Sequence, residues 1–122
     1  MILGSTTQWL EVQGETAIGA AASQMVFTGD FHEWLEKDTG HGRPGPFLGN
    51  ASSTAAVTML AAPTVANRFR QINRVSVHNP DSATQVAKIQ VNDNGTRYIV
   101  HVGILAPRKT LFYERGTGWN LL

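Results

Sequence analysis

"IQVNDNGTRYIVHVGIL", Ile89 to Leu105, sets an Asn-Asp-Asn-Gly cluster, a glycosylation-type triplet and a histidine inside an apolar run. It admits three readings: a metal loop, a modified surface loop or a hairpin. Asn92-Asp93-Asn94-Gly95 has the oxygen-rich start of a calcium loop, but the carboxylate that should close such a loop is missing, the next acidic residue being Glu114. Asn94-Gly95-Thr96 fits the glycosylation pattern, as does Asn50-Ala51-Ser52, yet such triplets arise by chance and matter only in a secretory pathway. The hairpin reading is the strongest. A two-residue Asn-Gly turn between alternating strands supplies the positive φ that a type I′ turn needs at both central positions.

The flanks of that turn set the fold class. Gln85 to Val91 places Ala87, Ile89 and Val91 on one face and Lys88 and Gln90 on the other, a half-exposed strand. Thr96 to Leu105 alternates too, with Tyr98, Val100, Val102 and Ile104 together and Ile99, His101, Gly103 and Leu105 opposite. Both faces are largely apolar, so this strand is central or is covered by a neighbouring subunit.

Short strands punctuated by turns fill the rest of the C-terminal half. Thr54 to Leu60 reads as a strand ending at Ala62-Pro63, although its alanines tolerate a helix. Phe69 to Asn79 has Val75 and Val77 in phase and Ile72 out of phase, which calls for a bulge near Asn73 or burial on both faces. Asn79-Pro80-Asp81-Ser82 is a turn: proline presets φ and the short polar side chains bond their own backbone. After Ala106-Pro107-Arg108-Lys109 come a strand at Thr110 to Glu114, the turn Gly116-Thr117-Gly118 and a closing Trp119 to Leu122.

In the N-terminal half, "TQWLEVQ" and "SQMVFTGDFHEWLEK" contain strands, and Ala17 to Ser23, compatible with helix, strand or loop, is read as β. Asp38 to Ser53 holds four glycines and two prolines in 16 residues, which denies both helix and ladder. It reads as a Gly/Pro-rich arm or loop that orders on a partner, so its deletion is expected to leave the domain folded. The sum is a single all-β domain spanning 1–122, an antiparallel β-sandwich or jelly-roll-like barrel of about seven to nine short strands.

Composition narrows the chemistry. A chain of 122 residues buries enough surface to fold without staples. Ten Lys+Arg against nine Asp+Glu, scattered apart from Arg68/Arg70 and Arg108/Lys109, do not make a nucleic-acid groove, which needs convergent cations. With no cysteine there is no disulfide, thiolate metal site or thiol nucleophile. The N-terminus lacks the basic n-region of a secretion signal, and no stretch approaches the roughly 20 apolar residues of a spanning helix. The default is a soluble protein kept inside the cell unless it leaves within a larger particle.

No candidate site survives its own requirements. Gly40-His41-Gly42-Arg43-Pro44-Gly45 matches G-x-G-x-x-G, but Pro44 and Pro46 remove amides that would cradle phosphate and no helix opens after it. "HEWLE", His32 to Glu36, falls one letter short of the zinc-protease H-E-x-x-H and reads as an amphipathic edge, even with His41 as a conceivable further ligand. The four histidines have no G-x-S-x-G elbow to serve, His101 reads as a packing or interface residue, and the carboxylates are too dispersed to pair. No catalytic residue, cofactor or metal is assigned.

With the hairpin in place, Thr54 to Leu122 resembles the small virion structural proteins of tailed bacteriophages. The likeness rests on Asn92 to Thr96, the apolar strand Tyr98 to Ile104, Leu105-Ala106, Leu111 to Tyr113 and Gly116 to Trp119, with a similar opening "MILGSTT". Pro107-Arg108-Lys109 stands where a Gly-Asp type of turn is expected, and "GHGRPGP" has no counterpart in that pattern. The resemblance implies a β-sandwich that assembles on the particle and brings no catalytic residues.

The expected function is therefore a non-enzymatic capsid decoration or cement protein. It would be located on the virion after assembly in the host cytoplasm, bind the major capsid protein or other virion proteins, and form a homo-oligomer, by analogy a trimer. A tail, baseplate or fibre component is the alternative, and a carbohydrate-binding module using Trp34 as a sugar platform a further one. Neither nucleic acid nor membrane is expected as a partner. Candidate partner contacts are Trp34, Phe47, Leu48, Ile99, His101 and Trp119, because aromatic and apolar side chains near turns and on an uncovered face anchor interfaces.

Overall fold

The computed structural model describes residues 1–15, 24–35, 43–51 and 54–122. It is all-β: two antiparallel sheets packed as a sandwich, with ten strands among the described residues. They are β1 (Ile2–Leu3), β2 (Gln8–Gly14), β3 (Met25–Leu35), β4 (Arg43–Ala51), β5 (Val57–Leu60), β6 (Arg68–His78), β7 (Gln85–Asp93), β8 (Thr96–Leu105), β9 (Thr110–Glu114) and β10 (Gly118–Leu121). The first sheet runs β10-β9-β6-β3-β4, with β1 on β6 beyond the end of β9; the second runs β5-β2-β7-β8. β8 lies beside β9 and β10, and β4 beside β5 and β2, so the edges of the two sheets are superposed.

The turn chemistry is as the residues dictate. Asn94 and Gly95 have φ of 50° and 97°, and Asp93 pairs with Thr96 across them. Replacing Gly95 with alanine is expected to cost about 1 kcal/mol, read as a fall in the urea midpoint, because only glycine holds this conformation without strain. In the Asn79 turn, the Asp81 amide donates to Asn79 Oδ1 at 3.0 Å, while Asn79 Nδ2 donates to the carbonyls of Ala83 and Leu105 at 2.8 and 2.9 Å. The irregularity at Ile72 is a bulge: Asp30 and Phe31 on β3 face Arg74 and Ile72, leaving Asn73 as the extra residue. That insertion restores the phase, so Ile72, Val75 and Val77 are all buried.

The reading of the Gly/Pro-rich arm is overturned. Residues 43–51, read as part of a structureless arm, form β4, paired with β3 from Met25↔Ala51 to Glu33↔Arg43. Phe27, Gly29 and Phe31 of β3 stand directly opposite Gly49, Phe47 and Gly45 of β4. Each phenyl ring lies over the glycine across from it, where a Cβ would come within 2.2 to 2.6 Å of ring carbons. Glycine weakens an isolated strand, but aromatic rings that cover it from the neighbouring strand recover the lost packing. Pro44 and Pro46 are tolerated because β4 is an edge. Their spacing of two puts both missing N–H groups on one lateral side, the side away from β3.

The core follows from this pairing. Met25, Phe27, Phe47, Ala51, Ile72, Val75, Val77 and Leu111 come from the first sheet, and Leu10, Val12, Met59, Ala87, Ile89 and Leu105 from the second. Gly29→Ala is expected to destabilise by about 1–3 kcal/mol in chemical denaturation. Its new methyl would sit 2.2 Å from Phe47 Cζ and 2.4 Å from the Arg74 carbonyl oxygen, and the backbone oxygen cannot turn away.

Of the other readings, Ala17 to Ser23, Glu36 and His41 lie outside the described residues. The strand expected at Thr54 begins at Val57.

Candidate interaction surface

β8 ends the second sheet: it pairs with β7, and no described strand pairs with its other side. It is therefore an edge and not a central strand, the first of the two readings that its apolar faces allowed.

A second bulge fixes what this edge presents. Ile89 and Gln90 on β7 face His101 and Ile99, so Val100 is inserted between them. Up to the bulge the side chains follow one alternation, and beyond it the other. Ile99, read from the sequence as a companion of His101, instead joins Val102 and Ile104 on the outer face, opposite Gln90, Lys88 and Val86. These three side chains are 61, 45 and 66 % exposed. Val100, Tyr98 and, from β10 and the chain beyond it, Leu121 and Leu122 are exposed as well. Ile104, Ala106, Lys109, Leu121 and Leu122 line a shallow notch of about 250 Å³ where the two sheet edges meet. The strip is thus continuous from β8 to the end of β10.

Beneath the strip the edge is held shut. His101, Gly103 and Leu105 point inward. The His101 ring stacks on Trp119 at 4.8 Å with 5° between planes, and Trp119 tilts against Tyr113 at 5.0 Å. The stack joins β8 of one sheet to β10 and β9 of the other, so the two open edges behave as one surface.

At the hairpin end of the strip lies a polar cluster that the sequence did not reveal. Glu11 sits on the outer face of β2 yet is only 4 % exposed. Trp9 Nε1 and Asn92 Nδ2 donate to its Oε1 at 2.8 and 2.9 Å, and Gln90 Nε2 and Arg97 Nε to its Oε2, both at 2.9 Å. Burial pushes the Glu11 carboxyl up, but these four donors together outweigh it and hold the group below the usual carboxylate range. The carboxylate is ionised and fully engaged, suited to tying β2, β7 and β8 together. Gln90, read as solvent-facing, is buried by this contact.

The remaining candidate contacts lie elsewhere. Phe47 is 8 % exposed and covers Gly29 in the core, which removes it from the surface. Leu48, 77 % exposed, stands on β4, the edge of the first sheet opposite β10. Trp34, on β3, is half-buried and stacks on His32 at 6.0 Å; its indole N–H is buried with no partner among the described residues. Ile99, His101 and Trp119 are the three that the fold brings to one edge. Val102, Ile104, Leu121 and Leu122 belong with them, the signal being the unbroken apolar alternation of β8. Comparison with protein-family models, with curated proteins and with solved structures finds no match to this chain.

Proposed function

We propose that this is a non-enzymatic virion structural protein, a capsid decoration or cement protein that binds neighbouring major capsid protein subunits of a tailed phage and stabilises the head. The observation that carries the reading is the exposed apolar strip along β8 and β10, on an edge with no partner among the described residues. Contiguous exposed apolar surface marks an interaction site, and such a protein acts by burial instead of turnover. The likeness of residues 54–122 to small virion proteins supplies the particle.

The test is occupancy. Val102→Lys combined with Ile104→Lys alters two exposed side chains and leaves the core intact. Moved from a buried interface to a charge, two such side chains should weaken particle binding by about 100-fold or more. Co-sedimentation with particles lacking the protein measures it, and wild-type occupancy by the double variant overturns the reading. Density in the tail instead of the head lattice would assign the tail alternative.

A carbohydrate-binding role has one observation in its favour, the indole N–H of Trp34, which has no hydrogen-bond partner among the described residues. A glycan-dependent shift in tryptophan fluorescence that vanishes in Trp34→Ala would carry it.

A further inference from the structure

The sandwich treats its edges unequally. β4 carries Pro44 and Pro46, which leave its outer side without two amide donors, and β5 and β10 are only four residues long. β8 has ten residues, no proline, and no charge from Tyr98 to Leu105. Edge strands are ordinarily protected by proline, inward charge or shortness, because a bare edge is a template for another strand. Among the described residues β8 has only the bulge at Val100.

We propose that β8 is a strand-addition site. Its occupant is an extended segment of another protein, apolar at alternate positions and flanked by carboxylates. The proposal rests on the β8–β10 strip being the docking surface. Backbone pairing with the side of β8 that no described strand occupies would continue the second sheet, and alternate side chains of the incoming strand would lie beside Ile99, Val102 and Ile104 on the outer face.

Charge selects the occupant. Arg97 stands at one end of the strip, Lys88 beside Val102, and Arg108 and Lys109 at the far end. The carboxylate nearest Arg97 is Glu11, already bound to it. A second copy would present the same cations and, from Thr96 to Thr110, no carboxylate to meet them. A strand with acidic ends meets the same cations favourably.

The probe is a nonapeptide with valine at alternate central positions, threonine between them and two glutamates at each end. Added to the full chain, it is expected to protect the amides of β8 from hydrogen exchange, with affinity falling at least about tenfold when lysines replace the glutamates. Two N-methylated versions, one blocking the valine amides and one the threonine amides, separate strand addition from simple apolar contact. Strand pairing uses one lateral side of the peptide, so one version should fail and the other bind. Equal binding by both, or no protection of β8 at about 1 mM peptide, overturns the proposal. So does concentration-dependent dimerisation in sedimentation that Val102→Lys abolishes, since it assigns the edge to a second copy. Any of these results with particle occupancy still lost in the double lysine variant leaves the docking surface in place and removes only strand addition.

Discussion

A chain lacking Arg43 to Ala51 is expected to show no cooperative unfolding transition and to bind hydrophobic dyes. The segment contributes Phe47 and Ala51 to the core and the glycines over which Phe27 and Phe31 pack. Truncating a single buried phenylalanine costs about 3–5 kcal/mol, against a total stability of about 5–15 kcal/mol for a domain of this class. Removing a whole strand also bares one side of β3. Circular dichroism and a urea titration decide the matter: a sharp transition near the wild-type midpoint would mean that β4 is an appendage, as its composition alone suggests.

Why composition misleads at this strand is instructive. Gly45, Gly49, Pro44 and Pro46 are strand-breaking letters when read alone. Their meaning emerges only against β3, where Phe27-x-Gly29-x-Phe31 is the complement of Gly45-x-Phe47-x-Gly49. The two patterns are visible in the sequence, but their register is a tertiary fact. By contrast the Asn94-Gly95 hairpin and the Asn79 turn were legible, because each is fixed by residues within a few positions of one another, while the bulge at Asn73 was one of two readings of the phase change at Ile72. The β8 bulge was not. A one-residue insertion leaves an apolar alternation looking unbroken while it moves Ile99 to the other face. Glu11 was equally hidden, since Gln90, Asn92 and Arg97 reach it from 79 to 86 positions away.

Replacing Glu11 with leucine is expected to destabilise the protein by about 3 kcal/mol or more, because buried donors lose their acceptor and Arg97 its countercharge. Gln90 and Asn92 are buried, and Gln90 Nε2 would keep only its 3.2 Å bond to Gln13 Oε1. Glu11→Gln, which keeps the shape and one acceptor, should fall between the two. The pH dependence separates the charge from the packing. The folded-state value lies below the ordinary carboxylate value of 4.5, so the stabilisation is fully present above that value and is lost as pH falls through the folded one. Asp93, held low by hydrogen bonds from Thr7 and Gln8, acts in the same direction. Wild-type stability should therefore drop on acidification below about pH 4.5, and the drop should shrink in Glu11→Gln. Equal acid sensitivity in the two proteins would remove Glu11 as its source.

The unequal edges have a consequence for how copies can be arranged. A sandwich that offered two bare edges could add a neighbour on each side and grow into a filament. Here β4 lacks two outer amides and β5 and β10 are short, so among the described strands β8 alone offers a long edge to an incoming strand. Strand pairing alone would therefore end a row at each such chain and would not build a filament.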